Sequence, residues 1–341
     1  MSSSTIGINP EAGTSALDNS FLETVVLHNR DYQQYSINNQ VYFVPIDEAS
    51  ITPEVALKSF ANPSTTQGGG REASDRAQLF DGRLLFPPLT RPRRILDLGY
   101  GSASWAIEVA EQNERADVLG VDINPWQPEE VPRNLYLQVD DLNRTQVAPL
   151  PHTFDLVHSR MMASGIHINR WRDYVRDMFR VTRPGGWTQM VELYFNVQSD
   201  NGSLSDDHAL RQWSTRYMES LEGLKDLRVP LRLPNMMRDA GFVDVEHRMV
   251  MLHTCAWSTG RKPLLPSRRL QLSPCRADPR ESEIGAANRE NVQRFLSSMA
   301  IYPFTERLGM TIQDVHLLVA QARLEADNPA FKEESYSAVK G

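Results

Sequence analysis

From Arg94 onward, short apolar runs alternate with segments of helical period. Ile95-Leu-Asp-Leu98, Val118-Leu-Gly-Val121, Leu135 to Val139 and Phe154 to His158 read as four short buried strands. Between the first two, Ser104 to Glu111 opens a helix with Trp105, Ala106, Ile107, Val109 and Ala110 on or near its apolar face. A second helix follows the fourth strand. Trp171, Tyr174, Val175, Met178 and Phe179 recur at i, i+3, i+4, i+7 and i+8, one stripe on a 3.6-residue helix. Arg183-Pro-Gly-Gly186 is expected to end it, and Trp187 to Phe195 reads as a fifth strand. Apolar strands alternating with helices predict a mostly parallel sheet covered on both faces, an α/β three-layer sandwich. Two further helices are expected, over Ile284 to Ala300 and from a capping box at Thr311-Ile-Gln-Asp314 to near Asp327-Asn328-Pro329.

The flanks break this rhythm. Met1 to Ser20 is Ser/Thr/Asn-rich without an apolar core and reads as a disordered lead, not a signal peptide. Ser64 to Gly70 reads as a mobile loop. The expected organisation is a disordered segment over 1–20, a cap region over 21–90, a core over 91–259, a disordered insert over 260–277 and a helical part over 278–341.

Composition narrows the class. The formal charge of −7 over 341 residues gives no general reason to bind nucleic acid or an anionic membrane. No stretch is long and apolar enough to span a bilayer. Two cysteines, Cys255 and Cys275, cannot build a secreted disulfide scaffold and suit a cytoplasmic or nuclear protein.

The chemistry concentrates at Asp97-Leu-Gly99-Tyr-Gly101-Ser-Ala103, between a strand and a helix. Glycines let the backbone turn tightly and let a ligand approach where a Cβ would intrude. The following helix start presents unpaired N–H groups. A dinucleotide fingerprint requires Gly or Ala at its last position, and here that position is Ser104. An acid before the turn with small residues at alternate positions, Asp97, Gly99, Gly101 and Ala103, fits S-adenosylmethionine better. Its ammonium is attracted by a carboxylate that would repel a pyrophosphate. Asp122, ending the second strand, has the chemistry to accept from both ribose hydroxyls. Of Asp140 and Asp141, one is expected to accept from the adenine amino group and the other to cap a turn. His158, Ser159 and Arg160 end the fourth strand, on the edge where parallel sheets bind ligands. His158 is therefore the candidate general base, set against a structural histidine; His167 and Glu192 are weaker candidates. There is no metal motif, no Walker loop and no nucleophile elbow, since Gly101-Ser-Ala-Ser104 lacks the closing glycine.

Several of these pieces together resemble one family. Tyr42-Phe-Val-Pro45-Ile-Asp47-Glu48, Phe80-Asp-Gly82, Pro87-Pro88-Leu, the glycine turn, Phe154 to Arg160, Arg183-Pro-Gly-Gly-Trp187 and Asp239-Ala-Gly-Phe242 are similar to the fungal LaeA-like (UMTA-type) methyltransferases, from about residue 30 onward. The resemblance implies a Rossmann-like class I fold with an N-terminal helical cap and extra C-terminal helices. It implies a SAM-dependent enzyme of fungal secondary metabolism acting on a small-molecule acceptor. A nuclear regulator of gene clusters working through protein partners is the alternative, and the altered glycine turn keeps open a degenerate subunit that no longer catalyses.

The chain departs from the family pattern in four places. Tyr100, Ser102, Ala103 and Ser104 replace residues of D-L-G-T-G-T-G-I-W, and the added Ala103 methyl is expected to reduce cofactor affinity. Ser50 to Ser74 does not follow the family's helix. Gly260 to Ala277, rich in Pro and Arg, looks inserted and is expected to be an exposed loop dispensable for folding. A closing strand is not evident, and Glu333 to Gly341 is a poor substitute for one.

Overall fold

The computed structural model describes residues 17–47, 83–125, 128, 130–144, 152–197, 204–250, 252, 254, 279–328 and 337–340. Most of the expected lead, the Ser64 to Gly70 loop, the 50–74 stretch and the 260–277 insert lie outside them.

Seven strands form one sheet, in the order β5-β4-β3-β6-β7-β9-β8. They are β3 (Arg94–Leu98), β4 (Asp117–Asp122), β5 (Leu135–Val139), β6 (Phe154–Arg160), β7 (Thr182–Glu192), β8 (Glu246–Met249) and β9 (Ser337–Lys340). The first five pair in parallel. β9 runs antiparallel to both β7 and β8, so β8 points the same way as the other five. Successive strands step outward from β3 to β5, and the chain then returns to place β6 on the other side of β3. That reversal opens a crevice beyond the carboxyl ends of β3 and β6, the position where such sheets bind ligands.

Each face of the sheet is covered because its strands are apolar on both sides. Ile95, Val118, Leu135 and Leu156 pack with Trp105, Ala106, Val109 and Ala110 of α2 (Ser104–Gln112). Leu96, Leu98, Val157 and Met190 pack on the opposite face with Trp171, Tyr174, Val175 and Met178 of α3 (Trp171–Val181). The expected stripe on α3 is therefore the buried one, apart from Phe179. Its ring sits at the edge, meets Phe242 edge-on and covers Gly241, where a Cβ would lie 2.8 Å from Phe179 Cζ. Behind this layer stand α4 (Ala209–Ser220), α5 (Leu233–Ala240), α6 (Pro279–Ser298) and α7 (Ile312–Ala326). Thr311 caps α7 as its sequence implies, its hydroxyl accepting from Asp314 N at 3.2 Å.

Three sequence expectations are corrected. The fifth strand begins at Thr182, not Trp187, and ends at Glu192. Arg183 to Gly186 bulges out of register, with Gly185 at φ +74°, so Pro and Gly end the helix without ending the pairing. The closing strand exists: Ser337–Lys340 inserts between β7 and β8. Its four residues are bonded through the backbone on both sides, which requires no apolar alternation, and β8 itself is exposed at all four positions. Finally, the described part of the expected helical cap is a β-hairpin, β1 (Thr24–Leu27) and β2 (Arg30–Gln33), followed by the five-residue helix α1 (Gln34–Asn38).

Candidate cofactor and acceptor cleft

The hairpin and the segment after α1 lie over the crevice because polar side chains fasten them to the strand ends. Arg30 grips Asp47 through two nitrogens, at 2.6 and 2.7 Å, folding the Val41 to Ile46 segment back along β2. Gln33 Nε2 donates to Ile123 O just beyond β4, at 2.9 Å. Tyr35 donates its hydroxyl to Asp141 beyond β5, at 3.2 Å. Beneath this roof is a cleft with about 860 Å³ of space between atoms, partly open to solvent.

One wall is the glycine turn. Gly99 and Gly101 both adopt positive φ, +82° and +52°, which other residues reach only with strain. A Cβ on Gly99 would stand 2.3 Å from Met162 Sδ. Asp122 stands beside this turn. Its Oδ2 accepts from Gly101 N and its Oδ1 from Asn124 N, both at 2.8 Å, so one carboxylate ties the turn to the end of β4. Burial pushes this carboxyl up, and the N–H groups of Asn124, Gly101 and Ile123 pull it back. Tyr100 reinforces the same link: its buried ring packs on Gly120 and its hydroxyl donates to Asn124 O at 3.1 Å.

The two acids after β5 separate cleanly. Asp141 is buried and fully engaged, accepting from Asn143 N at 2.9 Å, Asn143 Nδ2 at 3.1 Å and the Tyr35 hydroxyl at 3.2 Å. Asp140 is the one on the cleft wall. Asp97 is 2% exposed and sits in register beside His158. Ala103 is buried at the foot of α2 with φ +58°. Neither contributes to the cleft wall, so the Ala103 methyl points into the fold and not toward a ligand.

The rest of the cleft lining is largely apolar. It is built by Val41, Tyr42, Val44 and Ile46 from the roof and by Met161, Met162 and Ile166 after β6, with Arg160 among them. Tyr42, Val44 and Ile46 belong to the Tyr42 to Glu48 run that resembles the family, but only the fold shows that they face the cleft. Met161 turns through φ +59°, and Glu192 at the end of β7 accepts from both Met162 N and Ala163 N at 2.9 Å. Glu192 is 0% exposed, and burial pushes its carboxyl up to about 8.

His158 is not where a base would stand. It is 2% exposed on the α2 face, its ring stacked on Trp105 with centroids 3.8 Å apart. Gln189 Nε2 donates to its Nδ1 at 3.0 Å, which leaves the proton on Nε2, without a hydrogen-bond partner. Burial holds its pKa well below the ordinary value, so it is neutral. β6 continues two residues further than its apolar run implies, and this places His158 inside the layer instead of at the strand end. Ser159 likewise turns away, sharing a hydrogen bond with the Tyr174 hydroxyl at 2.9 Å. His167 Nε2 lies 3.0 Å from Gln40 O, in the seam between roof and core. We expect His158→Phe, which keeps a ring on Trp105, to change stability by less than about 1 kcal/mol, since it removes an unpaired donor along with one acceptor. S-adenosylhomocysteine affinity should stay within about threefold, because that change is under 1 kcal/mol. A tenfold loss in calorimetry would return His158 to the cleft.

Among the described residues no helix is long and apolar enough to cross a membrane. A cleft at the switch point, with a positive-φ glycine turn and a carboxylate ending the next strand, fits S-adenosylmethionine: Gly99, Gly101, Asp122 and Asp140 all line it. Known proteins resemble the chain. A secondary metabolism regulator, laeA, of Fusarium oxysporum is 26% identical over 250 residues, covering 72% of this chain and 73% of the relative. Methyltransferase pytC of Aspergillus terreus is 27% identical over 252 residues, covering 73% and 71%. A Haemonchus contortus phosphoethanolamine N-methyltransferase solved with S-adenosylmethionine aligns over 94% of this chain and 70% of its own, at 15% identity and a TM-score of 0.45. The family model described as a methyltransferase domain matches residues 72–247, just over half of the 341. The chain therefore belongs to the methyltransferase domain family, and it is an S-adenosylmethionine-dependent methyltransferase.

Proposed function

We propose that this chain methylates a small, largely apolar metabolite in fungal secondary metabolism. The observation that carries the reading is the mixed lining of the cleft. It offers polar groups at Gly99, Gly101, Asp122 and Asp140 together with the apolar side chains of Val41, Tyr42, Val44, Ile46, Met161 and Ile166. In this reading Gly99 and Gly101 admit the cofactor's amino-acid end, Asp122 accepts from the ribose diol and Asp140 from the adenine amino group. The bound cofactor supplies a methyl group already activated by its sulfonium. What remains for the protein is alignment of the acceptor and exclusion of water by the roof. His158 has no part in this, and an acceptor of low pKa needs no base.

The reading goes with a cytoplasmic or nuclear location, supported by the sparse cysteines and the lack of a membrane-spanning helix among the described residues. A second reading, regulation of gene clusters through protein partners, is supported by relatives named as secondary metabolism regulators. Metabolite profiling of a deletion strain separates the two. Accumulation of one compound lacking a single methyl group is expected. Loss of many unrelated compounds, with no desmethyl precursor, would overturn the tailoring role.

A further inference from the structure

Lys225 lies outside every motif, yet its amine is at the junction of three segments. It is 3% exposed, and Nζ donates to Val41 O at 2.8 Å and to Gly165 O at 2.7 Å. Both carbonyls belong to residues of the cleft wall, one in the roof and one in the turn after β6. The backbone of His167 bridges to that of Lys225, and Ile168 N donates to Leu224 O at 2.9 Å, which fixes the lysine's stem against the same turn. Gly165 O also accepts from Asn143 Nδ2 at 3.1 Å, and Asn143 in turn holds Asp141 and His167 N. Asp141 receives the Tyr35 hydroxyl, and His167 Nε2 meets Gln40 O. A continuous chain of hydrogen bonds thus runs from the turn beside Asp140, through Gly165 and Lys225, into the roof.

We propose that Lys225 is a positioning residue that braces the roof at Val41 against the turn after β6 at Gly165, which Asn143 ties to the segment beside Asp140, so that cofactor bound in the cleft orders the roof over the acceptor. The geometry carries this: one amine bonds a carbonyl of each segment, and among the described residues no hydrogen bond joins Val41 to Gly165 directly. The charge environment is consistent with it. Burial pushes the amine down to about 7, with Asp141 pulling it up and Arg307 down, and nearby His167 lies below its own ordinary value. A neutral amine keeps two N–H donors, matched by the two carbonyls. The coupling rests on the cofactor reading; the bracing of the roof does not.

Amide hydrogen exchange on the full chain tests both parts. In the ligand-free protein, Lys225→Met should speed exchange over residues 40–46 by tenfold or more and leave β3, α2 and β4 unchanged. In the wild type, saturating S-adenosylhomocysteine should slow exchange over 40–46 as well as over 99–103. In the variant only 99–103 should respond. If the variant does not fold, Lys225→Gln, which retains a single short donor arm, is read by the same criteria. Unchanged exchange over 40–46 would overturn the proposal, as would an even rise across β3, α2 and the roof, which marks general destabilisation. A roof that still responds to ligand in the variant would overturn the coupling. If 99–103 fails to respond in the wild type, the cofactor reading falls, and the ligand-free comparison still decides whether Lys225 braces the roof.

Discussion

Asp122→Ala should weaken S-adenosylhomocysteine binding by about 100-fold. The size follows from what the carboxylate does. A carboxylate has roughly four lone-pair sites. Gly101 N and Asn124 N use two of them, which leaves two for hydroxyls of a ligand. Hydrogen bonds to a charged group contribute about 1.5–3 kcal/mol each. Losing two of them on the ligand side comes to about 3 kcal/mol, and each 1.4 kcal/mol is about tenfold. The substitution also releases Gly101 N, so the turn loses its tie to β4 and part of the loss reflects poorer preorganisation. Asp122→Asn should be intermediate, because the amide keeps one acceptor and turns a donor toward one of the two N–H groups. Calorimetry on folded variants, checked by their melting temperatures, measures this. Affinity within threefold of the wild type in folded Asp122→Ala would remove Asp122 from the site and with it the diol assignment.

The sequence made the parallel core legible because the strands there are apolar on both faces and the helices carry one clear stripe. The glycine turn was legible for a second reason: positive φ at Gly99 and Gly101 restricts which residues can stand there. The far edge was not. β8 reads Glu246-His-Arg-Met249 and β9 is four residues long, so neither carries a hydrophobic period, and their pairing is decided by backbone geometry. His158 shows a different limit. The sequence gives its strand but not the length of the strand, and two extra residues move a side chain from the ligand edge into the layer beneath Trp105. Asp140 and Asp141 could not be told apart as neighbours. Only the Tyr35 hydroxyl and Asn143, brought in by the fold, show that Asp141 is committed to the turn. The roof was legible as a family-like run, Tyr42 to Glu48, but its place over the cleft was not, and Lys225 is the most hidden, since it is ordinary by type and acts only through partners far away in the chain.

Glu192 should make the protein lose stability as the pH rises toward 8, and Glu192→Gln should abolish that loss. Its folded carboxyl is pushed up from 4.5 to about 8 by burial, with the N–H groups of Met162 and Ala163 opposing the shift. Between those two values the native state holds a proton that the unfolded chain has released. The stabilising contribution is therefore complete below about 4.5 and is lost as the pH passes through about 8. A single proton limits the slope to about 1.4 kcal/mol per pH unit, so the change across this window is at most on the order of 5 kcal/mol. Lys225 acts in the opposite sense and in a higher window. Its amine falls from 10.5 to about 7, so the unfolded chain binds the extra proton and stability rises with pH between those values. The two effects meet near pH 7 to 8, and the Gln variant isolates the first. At pH 5 to 6, where Glu192 is protonated, Gln should cost about 1–3 kcal/mol, because its amide nitrogen faces one of the two N–H groups and leaves it unpaired. By pH 9 the wild type has the burden of a buried charge and the difference should shrink to near zero or reverse. Urea denaturation from pH 5 to 9 reads it directly. A difference that stays constant with pH would mean that Glu192 is ionised throughout. The same variant loosens the turn that sets Met162 against Gly99, so S-adenosylhomocysteine affinity should fall with it, by about tenfold for a lost bond of about 1.4 kcal/mol.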